Sequence, residues 1–201
     1  MRVTKTNIDG VVIIKPKMFK DNRGYFFESF NEKEFKEKVA NIDFVQDNES
    51  KSSYGVLRGI HFQVPPYSQS KLVRVVKGKV LDIAVDLRKD SPTYGQWTSV
   101  ILTSRNHKQF FLPQGMGHAF VVLTKTAVFQ YKCDNFYNKD ADGGIAWDDK
   151  DLNIDWKIPI KDIILSEKDK HHQTFKEFKK NNPFYDCDKF SYKYWKNKIL
   201  F

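Results

Sequence analysis

Short apolar runs separated by turn residues fill most of this chain. Val11-Val12-Ile13-Ile14 is the first, and Pro16 closes it. Asp21-Asn22-Arg23-Gly24 is turn chemistry and leads into Tyr25 to Phe30, an aromatic run that reads as a strand. Asn31 then predicts a helix cap, with Glu34 at the capping-box position and Phe35 and Val39 as the apolar face. Phe44-Val45-Gln46 begins another strand, and Glu49 to Tyr54 reads as a polar loop. From Leu57 to Tyr131 strand follows strand. Lys77-Gly78 lies between two apolar runs and predicts a hairpin, because glycine tolerates the positive φ of a tight turn. Alternation is cleanest in the second run. Leu81, Ile83, Val85 and Leu87 share one face, and Asp82, Ala84 and Asp86 share the other, which must either meet water or line a polar cavity. Many short strands with turns between them predict an all-β barrel or sandwich. After Gly143-Gly144 the pattern dissolves into acidic loops, with a last apolar piece at Ile163-Ile164-Leu165. Phe175 and Phe178 predict a short amphipathic helix that Pro183 stops.

Composition narrows the class. Hydrophobic residues make up 40% of the 201, enough for one core, and aromatics reach 15%, which favours β structure. The 34 Lys and Arg against 25 Asp and Glu leave a charge of +9. A nucleic-acid surface and a lysine-rich solvated surface with a pocket for a small anion both fit that number. The lysines are scattered, without a dense basic run before Lys170, so we read the second and expect neither nucleic-acid nor membrane binding. Cys133 and Cys187 form no disulfide framework. No apolar run approaches membrane-spanning length, and no apolar segment follows Met1, so a cytoplasmic protein is expected.

Chemistry concentrates in Gly55 to Gln63, where Arg58 and His61 sit inside an apolar strand. A histidine in a β core is usually structural, but a second ionisable group so close is unusual there. In a regular strand positions 58 and 61 face opposite sides, so a shared pocket requires Gly59 to bulge the strand. Gly55 to Gln63 and Pro113 to His118 are similar to the two halves of the cupin signature, with Gln63 where a metal-binding cupin places its second histidine. A His61–His118 pair alone is a poor metal site, so no metal is expected. Tyr131 and Lys71 taken singly read as a strand-edge tyrosine and a surface lysine.

Taken together these residues resemble the nucleotide-sugar 3,5-epimerases, typified by the dTDP-4-dehydrorhamnose 3,5-epimerases. The matching segments are DNRGYFFESFN at 21–31, the stretch from Phe44 to Gly95, LPQGMGHAF at 112–120, FQYKCDNFY at 129–137, and IAWDDKDLNIDW with ILSEKD at 145–169. The resemblance covers residues 1–170 in order. It implies a cupin-like double-stranded β-helix barrel, or jelly roll, over 1–170, with a few short helices and a C-terminal extension over 171–201 packed on the barrel or on a dimer partner.

It also implies the activity: inversion at C3, C5 or both of a nucleoside-diphosphate 4-keto sugar through an enolate, in deoxysugar or modified-heptose biosynthesis for surface polysaccharide. His61 matches the family's base and Asp169 its dyad partner. Tyr131 matches the acid on the opposite face of the sugar, and Lys71 the group beside the C4 oxygen. Arg23 and Arg58 match residues near the diphosphate. Glu28, Gln46 and Asn48 match positions near the base, and Phe26 is placed to pack on base or sugar. His118 and Asp82 match polar pocket residues, and Tyr137 a helper at the sugar. In the family Arg23, Phe26 and Glu28 reach the neighbouring subunit's pocket, so a homodimer is implied. Acid–base work alone suffices, so no cofactor is expected. One departure is Gly115-Met116-Gly117-His118, where the family's usual run is Gly-Phe-Ala-His. It suggests a pocket altered for another sugar, such as a GDP-linked 4-keto heptose. The competing readings are a 3,4-ketoisomerase and a non-catalytic sugar-binding cupin.

Overall fold

The computed structural model describes residues 1–184. Its strands are β1 (Arg2–Lys5), β2 (Val12–Lys15), β3 (Phe19–Asp21), β4 (Gly24–Phe26), β5 (Gln46–Ser53), β6 (Leu57–Gln63), β7 (Lys71–Lys77), β8 (Lys79–Asp86), β9 (Trp97–Thr103), β10 (Gln109–Leu112), β11 (Met116–Val122), β12 (Thr126–Cys133) and β13 (Asp142–Gly144). Two helices join them, α1 (Glu32–Lys38) and α2 (Phe175–Lys180). One sheet runs β1-β2-β10-β7-β12-β5, the other β13-β6-β11-β8-β9, and β3 pairs with β4 alone. From β5 onward the chain passes back and forth between the sheets, which is the jelly-roll winding. The sheets face each other without closing into one continuous ladder.

That winding overturns two readings of the sequence. Lys77-Gly78 is not a hairpin turn, because β7 belongs to the first sheet and β8 to the second. Gly78 does take a positive φ of 82°, but the turn carries the chain across the core. Glu49 to Ser53 is strand, not loop. β5 pairs with β12 along its whole length, from Gln46↔Cys133 to Ser53↔Thr126. It escapes the apolar-alternation test because both faces are polar. Gln46 and Asn48 line a polar cavity, while Asp47 and Glu49 belong to the opposite, exposed face of an edge strand. The aromatic run after the first turn is also shorter as strand than expected, ending at Phe26.

Three clusters hold the frame. Val73, Val75, Ala84, Phe110, Phe120 and Phe129 fill the space between the sheets. Phe35 of α1 and Val39 at its C-terminal cap close the outer face of the first sheet with Leu72 and Phe111. Asn31 caps α1 by accepting from the Glu34 amide at 3.0 Å, while the Glu34 carboxylate pairs with Lys38 and the N-terminal amine instead of returning to the cap. Leu81, Ile83, Val85 and Leu87 pack outward from the second sheet against Trp156, Phe175, Phe178 and Phe184. A full capping box at Thr174 and Glu177 starts α2, and the Phe62 ring meets Phe178 at 5.3 Å and Phe184 at 5.7 Å. Each such buried aromatic stabilises by about 1.5–3 kcal/mol, so residues up to 184 clamp the strand that carries His61. The remainder of the expected extension, 185–201, lies outside the described residues.

The aspartate face of β8 meets neither alternative fully. Asp86 is buried in an ion pair with Arg88, with Ser91 and Thr93 donating to its second oxygen. Asp82 is buried against His118.

Candidate active site

The strand β6 places its two ionisable groups on one side through a defect at Gly59. Arg58 pairs with Phe120 and His61 with His118, so two residues of β6 stand opposite Ala119 alone. This is a β-bulge, as the shared-pocket argument requires. Only glycine fits: its φ is +127°, and a Cβ there would lie 2.4 Å from the Ala119 Cβ and 2.6 Å from the His118 carbonyl oxygen.

His61 lines a cavity of about 320 Å³. Its wall includes Gln46 and Asn48 of β5, Gln63 of β6, Lys71 of β7, Tyr131 of β12 and Asp142 of β13, with Gln69 and Tyr137 from loops. His61 therefore projects from one sheet, and Tyr131 and Lys71 from the other. The His61 Nε2–H donates to Asp169 Oδ1. An ionised carboxylate can only accept, so Nε2 carries the proton and Nδ1 is left to take another. Asp169 is buried in a short helical turn and also receives Ser166 Oγ on Oδ2 at 2.8 Å and His172 Nε2 on Oδ1 at 3.2 Å. Burial pushes its pKa up, but the bonds from His172, His61 and Ser166 outweigh burial and hold it well below the usual carboxylate range. Burial dominates at His61 and pulls the imidazole below its ordinary value, with Asp169 opposing. The shifts favour a neutral imidazole beside an ionised carboxylate.

Lys71 is half-buried, and its ammonium stands 5.6 Å from the centre of the Tyr131 ring. Burial lowers its pKa, while Cys133, Asp142 and Asp82 oppose. Burial raises the Tyr131 phenol, so it keeps its proton until a strong base takes it. Asp82 accepts from His118 Nε2 at 3.1 Å on the interior face beside the cavity, within electrostatic reach of Lys71. Arg58 is exposed and donates to Ser52 of β5 at 3.2 Å.

Arg23, Phe26 and Glu28 are not brought to this cavity within one chain. Arg23 and Phe26 sit exposed on the β3–β4 hairpin, Arg23 against Asp21. Glu28 accepts from Asn31 and lines a separate depression beside α1. The departures at Met116 and Gly117 do not reach the cavity either. Met116 belongs to the core between the sheets, and a Cβ on Gly117 would meet Ile60 and Leu87. Those changes are absorbed by packing rather than by the pocket.

Other residues escaped the sequence reading. Asp142 is held in the wall by Tyr137 Oη at 2.9 Å and by the Lys168 ammonium. It hid beside Gly143-Gly144, where the strand pattern dissolves. His172 hid in a Lys- and Phe-rich stretch. Among the described residues, His61, Asp169 and His172 are the group whose ligand atoms, within 4.8 Å of one another, have the composition of a metal site. Both imidazoles here spend Nε2 on the carboxylate instead.

Comparison with known proteins finds relatives over most of the chain. A family profile for dTDP-4-dehydrorhamnose 3,5-epimerase matches residues 5–177. The dTDP-4-dehydrorhamnose 3,5-epimerase of Shigella flexneri is 52% identical over 176 residues, covering 87% of this chain and 96% of its own. The corresponding crystal structure from Elizabethkingia anophelis superposes with a TM-score of 0.85 at 52% identity, over 88% of this chain and 97% of that one. A dTDP-6-deoxy-D-glucose-3,5-epimerase from Legionella pneumophila, solved with dTDP-4-keto-L-rhamnose, gives 0.84 at 43% identity, over 87% and 93%.

Proposed function

The chain belongs to the dTDP-4-dehydrorhamnose 3,5-epimerase family, and we propose on that footing that it inverts C3 and C5 of a dTDP-linked 4-keto-6-deoxy sugar. It is an isomerase of the nucleotide-sugar class. The observation that carries the residue roles is the disposition of base and acid: His61 and Tyr131 enter one cavity from opposite sheets.

The C4 ketone acidifies the hydrogens at C3 and C5. His61 Nδ1 takes one of them, and the electron pair left on carbon delocalises onto the C4 oxygen as an enolate. The Asp169 carboxylate stabilises the imidazolium that forms. The Lys71 ammonium offsets the charge on the enolate oxygen as it develops. Tyr131 returns a proton to carbon from the opposite face, which inverts the centre, and proton exchange with water restores both groups. Arg58 serves the diphosphate, and Gln46 and Asn48 the nucleobase side. His118 and Asp82 support Lys71 from behind, and Tyr137 closes over the sugar.

Arg23, Phe26 and Glu28 act in a neighbouring subunit of a homodimer. What supports this is their distance from their own chain's cavity wall and the exposed aromatic surface of the hairpin, where Phe19, Tyr25 and Phe26 are each half exposed or more. The dTDP reading is preferred over GDP-heptose because Met116 and Gly117 lie outside the cavity.

Deuterium uptake from solvent into dTDP-4-keto-6-deoxyglucose, followed by proton NMR, tests the reading. Exchange at C3 and C5 is expected. Exchange at C3 alone makes this a single-centre enzyme, preferential turnover of GDP-4-keto heptose restores the heptose alternative, and no exchange on either sugar favours the sugar-binding cupin.

A further inference from the structure

Beyond the dyad, the segment that follows Asp169 is built into the site. It is pinned to the end of β13: Ile145 bridges Gln173, the Ala146 amide donates to the Gln173 carbonyl at 2.8 Å, and Gln173 Nε2 reaches the Gly144 carbonyl at 3.4 Å. Gly144 is itself the register partner of His61. The His172 ring lies in the space above Gly144, where a Cβ would fall 2.4–2.6 Å from three of its ring atoms. From that seat His172 meets His61 edge to face, with ring centres 5.5 Å apart, and its Nε2 reaches Asp169 Oδ1. The same carboxylate oxygen therefore serves two imidazoles, and Ser166 holds the other oxygen.

We infer that His172 is a positioning residue for this reaction, seated on Gly144 to fix the Asp169 carboxylate and to share its oxygen with the base His61. The inference rests on the epimerase reading above and adds a third member to the dyad. Its physical content has two parts. First, a carboxylate with one oxygen held by Ser166 and the other by two donors cannot rotate away from His61, so His61 Nδ1 stays aimed at the substrate. Second, an N–H donor from His172 draws on the charge that Asp169 otherwise gives to the His61 imidazolium. His61 is thereby kept a neutral base to lower pH. The titratable groups facing His61 are Asp169 and His172 from the chain after β13, Lys71 from β7, Asp142 from β13 and, across the cavity, Tyr131 from β12. Of these His172 and Asp142 have no role in the mechanism already given, and Asp142 is held by Tyr137 and Lys168 while His172 is bonded to Asp169 itself.

His172→Ala tests this in the full-length enzyme. Turnover should fall by roughly ten- to a hundredfold with KM within about twofold of wild type, the size expected when a catalytic group is misaimed rather than lost. The acid limb of the kcat/KM profile should move to higher pH, as should the His61 titration followed by NMR without substrate. His172→Gln, which restores an N–H donor, should recover both readouts in part. Gly144→Ala should reproduce the His172→Ala defect by unseating the ring, and adding it to His172→Ala should cost nothing more. Circular dichroism checks that each variant is folded. Should wild-type enzyme exchange deuterium while His172→Ala keeps its turnover and its pH limb, the inference fails and the epimerase reading stands. If the wild type does not exchange, that reading fails first, and the NMR titration still reports on His172. An unmoved His61 titration in a folded His172→Ala variant overturns the inference in either case.

Discussion

Two histidine–aspartate pairs have their histidines side by side in the second sheet, where His61 and His118 are register partners across β6 and β11. Their chemistry is the same and their surroundings are opposite. The His61 side chain is 30% exposed, and its aspartate collects two further donors. The His118 side chain is 9% exposed, stacks on Phe129, and no donor other than His118 is found on its aspartate among the described residues. The first carboxylate is held well below its usual range, the second is pushed up by burial. A His–Asp pair becomes a base when the carboxylate is kept ionised by donors and the imidazole has a nitrogen facing a cavity. Without those it is a buried polar contact that organises the interior.

The sharpest way to break the comparison is to remove each imidazole in turn, starting with the cavity-facing one. His61→Ala should lower deuterium exchange and turnover by at least about a thousandfold, within the usual range for losing a general base. Its melting temperature should stay close to wild type, because a partly exposed side chain is lost. Comparable exchange in His61→Ala would transfer the role of base to another group in the wall. Tyr131→Phe probes the opposite wall and should be the next largest. Net inversion should fall by about a hundredfold while exchange persists, because deprotonation needs the base and not the acid. Equal loss of both readouts would mean that Tyr131 is needed for binding or for the enolate rather than for reprotonation.

His118→Ala should reverse the pattern. It leaves Asp82 buried without its donor and a void beside the stacked Phe120 and Phe129 rings. A loss of about 2 kcal/mol of stability is expected, the scale for stranding a buried polar group. Thermal denaturation should register this as a lower melting temperature, with a smaller effect on exchange than His61→Ala. A stable, inactive variant would instead put His118 in contact with the substrate.

The sequence disclosed these two pairs unequally, and the reason is physical. Strands β6 to β12 are legible because each carries buried apolar residues in a short run bounded by turn residues, and the bulge at Gly59 follows from asking two charged groups to share a side. Strand β5 is illegible because its inward face is polar for the sake of the cavity, so function erases the pattern that announces a strand. The turn at Gly78 has the right local chemistry for a hairpin, and only the path of the whole chain assigns its flanks to different sheets. Asp142 and His172 carry no local signal, since each acquires its neighbours by folding back, one onto Lys168 and the other onto Gly144. The Gly143-Gly144 pair was the available clue: side chains are missing there because a phenyl ring and an imidazole occupy the space.

The smallest expected effect sharpens the comparison most, because it separates the two aspartates by sign. Burial raises the Asp82 pKa in the folded protein, with His118 and Lys71 opposing. Between the unfolded value of about 3.9 and the raised folded value, the folded state binds more protons than the unfolded one. Stability from this group is therefore present at low pH and is lost as pH rises through the folded pKa. Asp82→Asn keeps an oxygen for His118 and carries no charge, so near neutral pH its melting temperature should exceed wild type by about 2 °C. That gain should shrink as pH falls. Asp169→Asn should do the opposite, because the folded Asp169 pKa is depressed and its contribution is present above the unfolded value. The Asn variant loses that contribution at neutral pH, and the deficit should start to close only below about pH 4, where the unfolded chain takes up the proton that folded Asp169 resists. Melting curves of Asp82→Asn across about pH 4 to 8 and of Asp169→Asn from about pH 8 down to about pH 2 read the two signs directly, and a shared sign would erase the distinction drawn between the pairs.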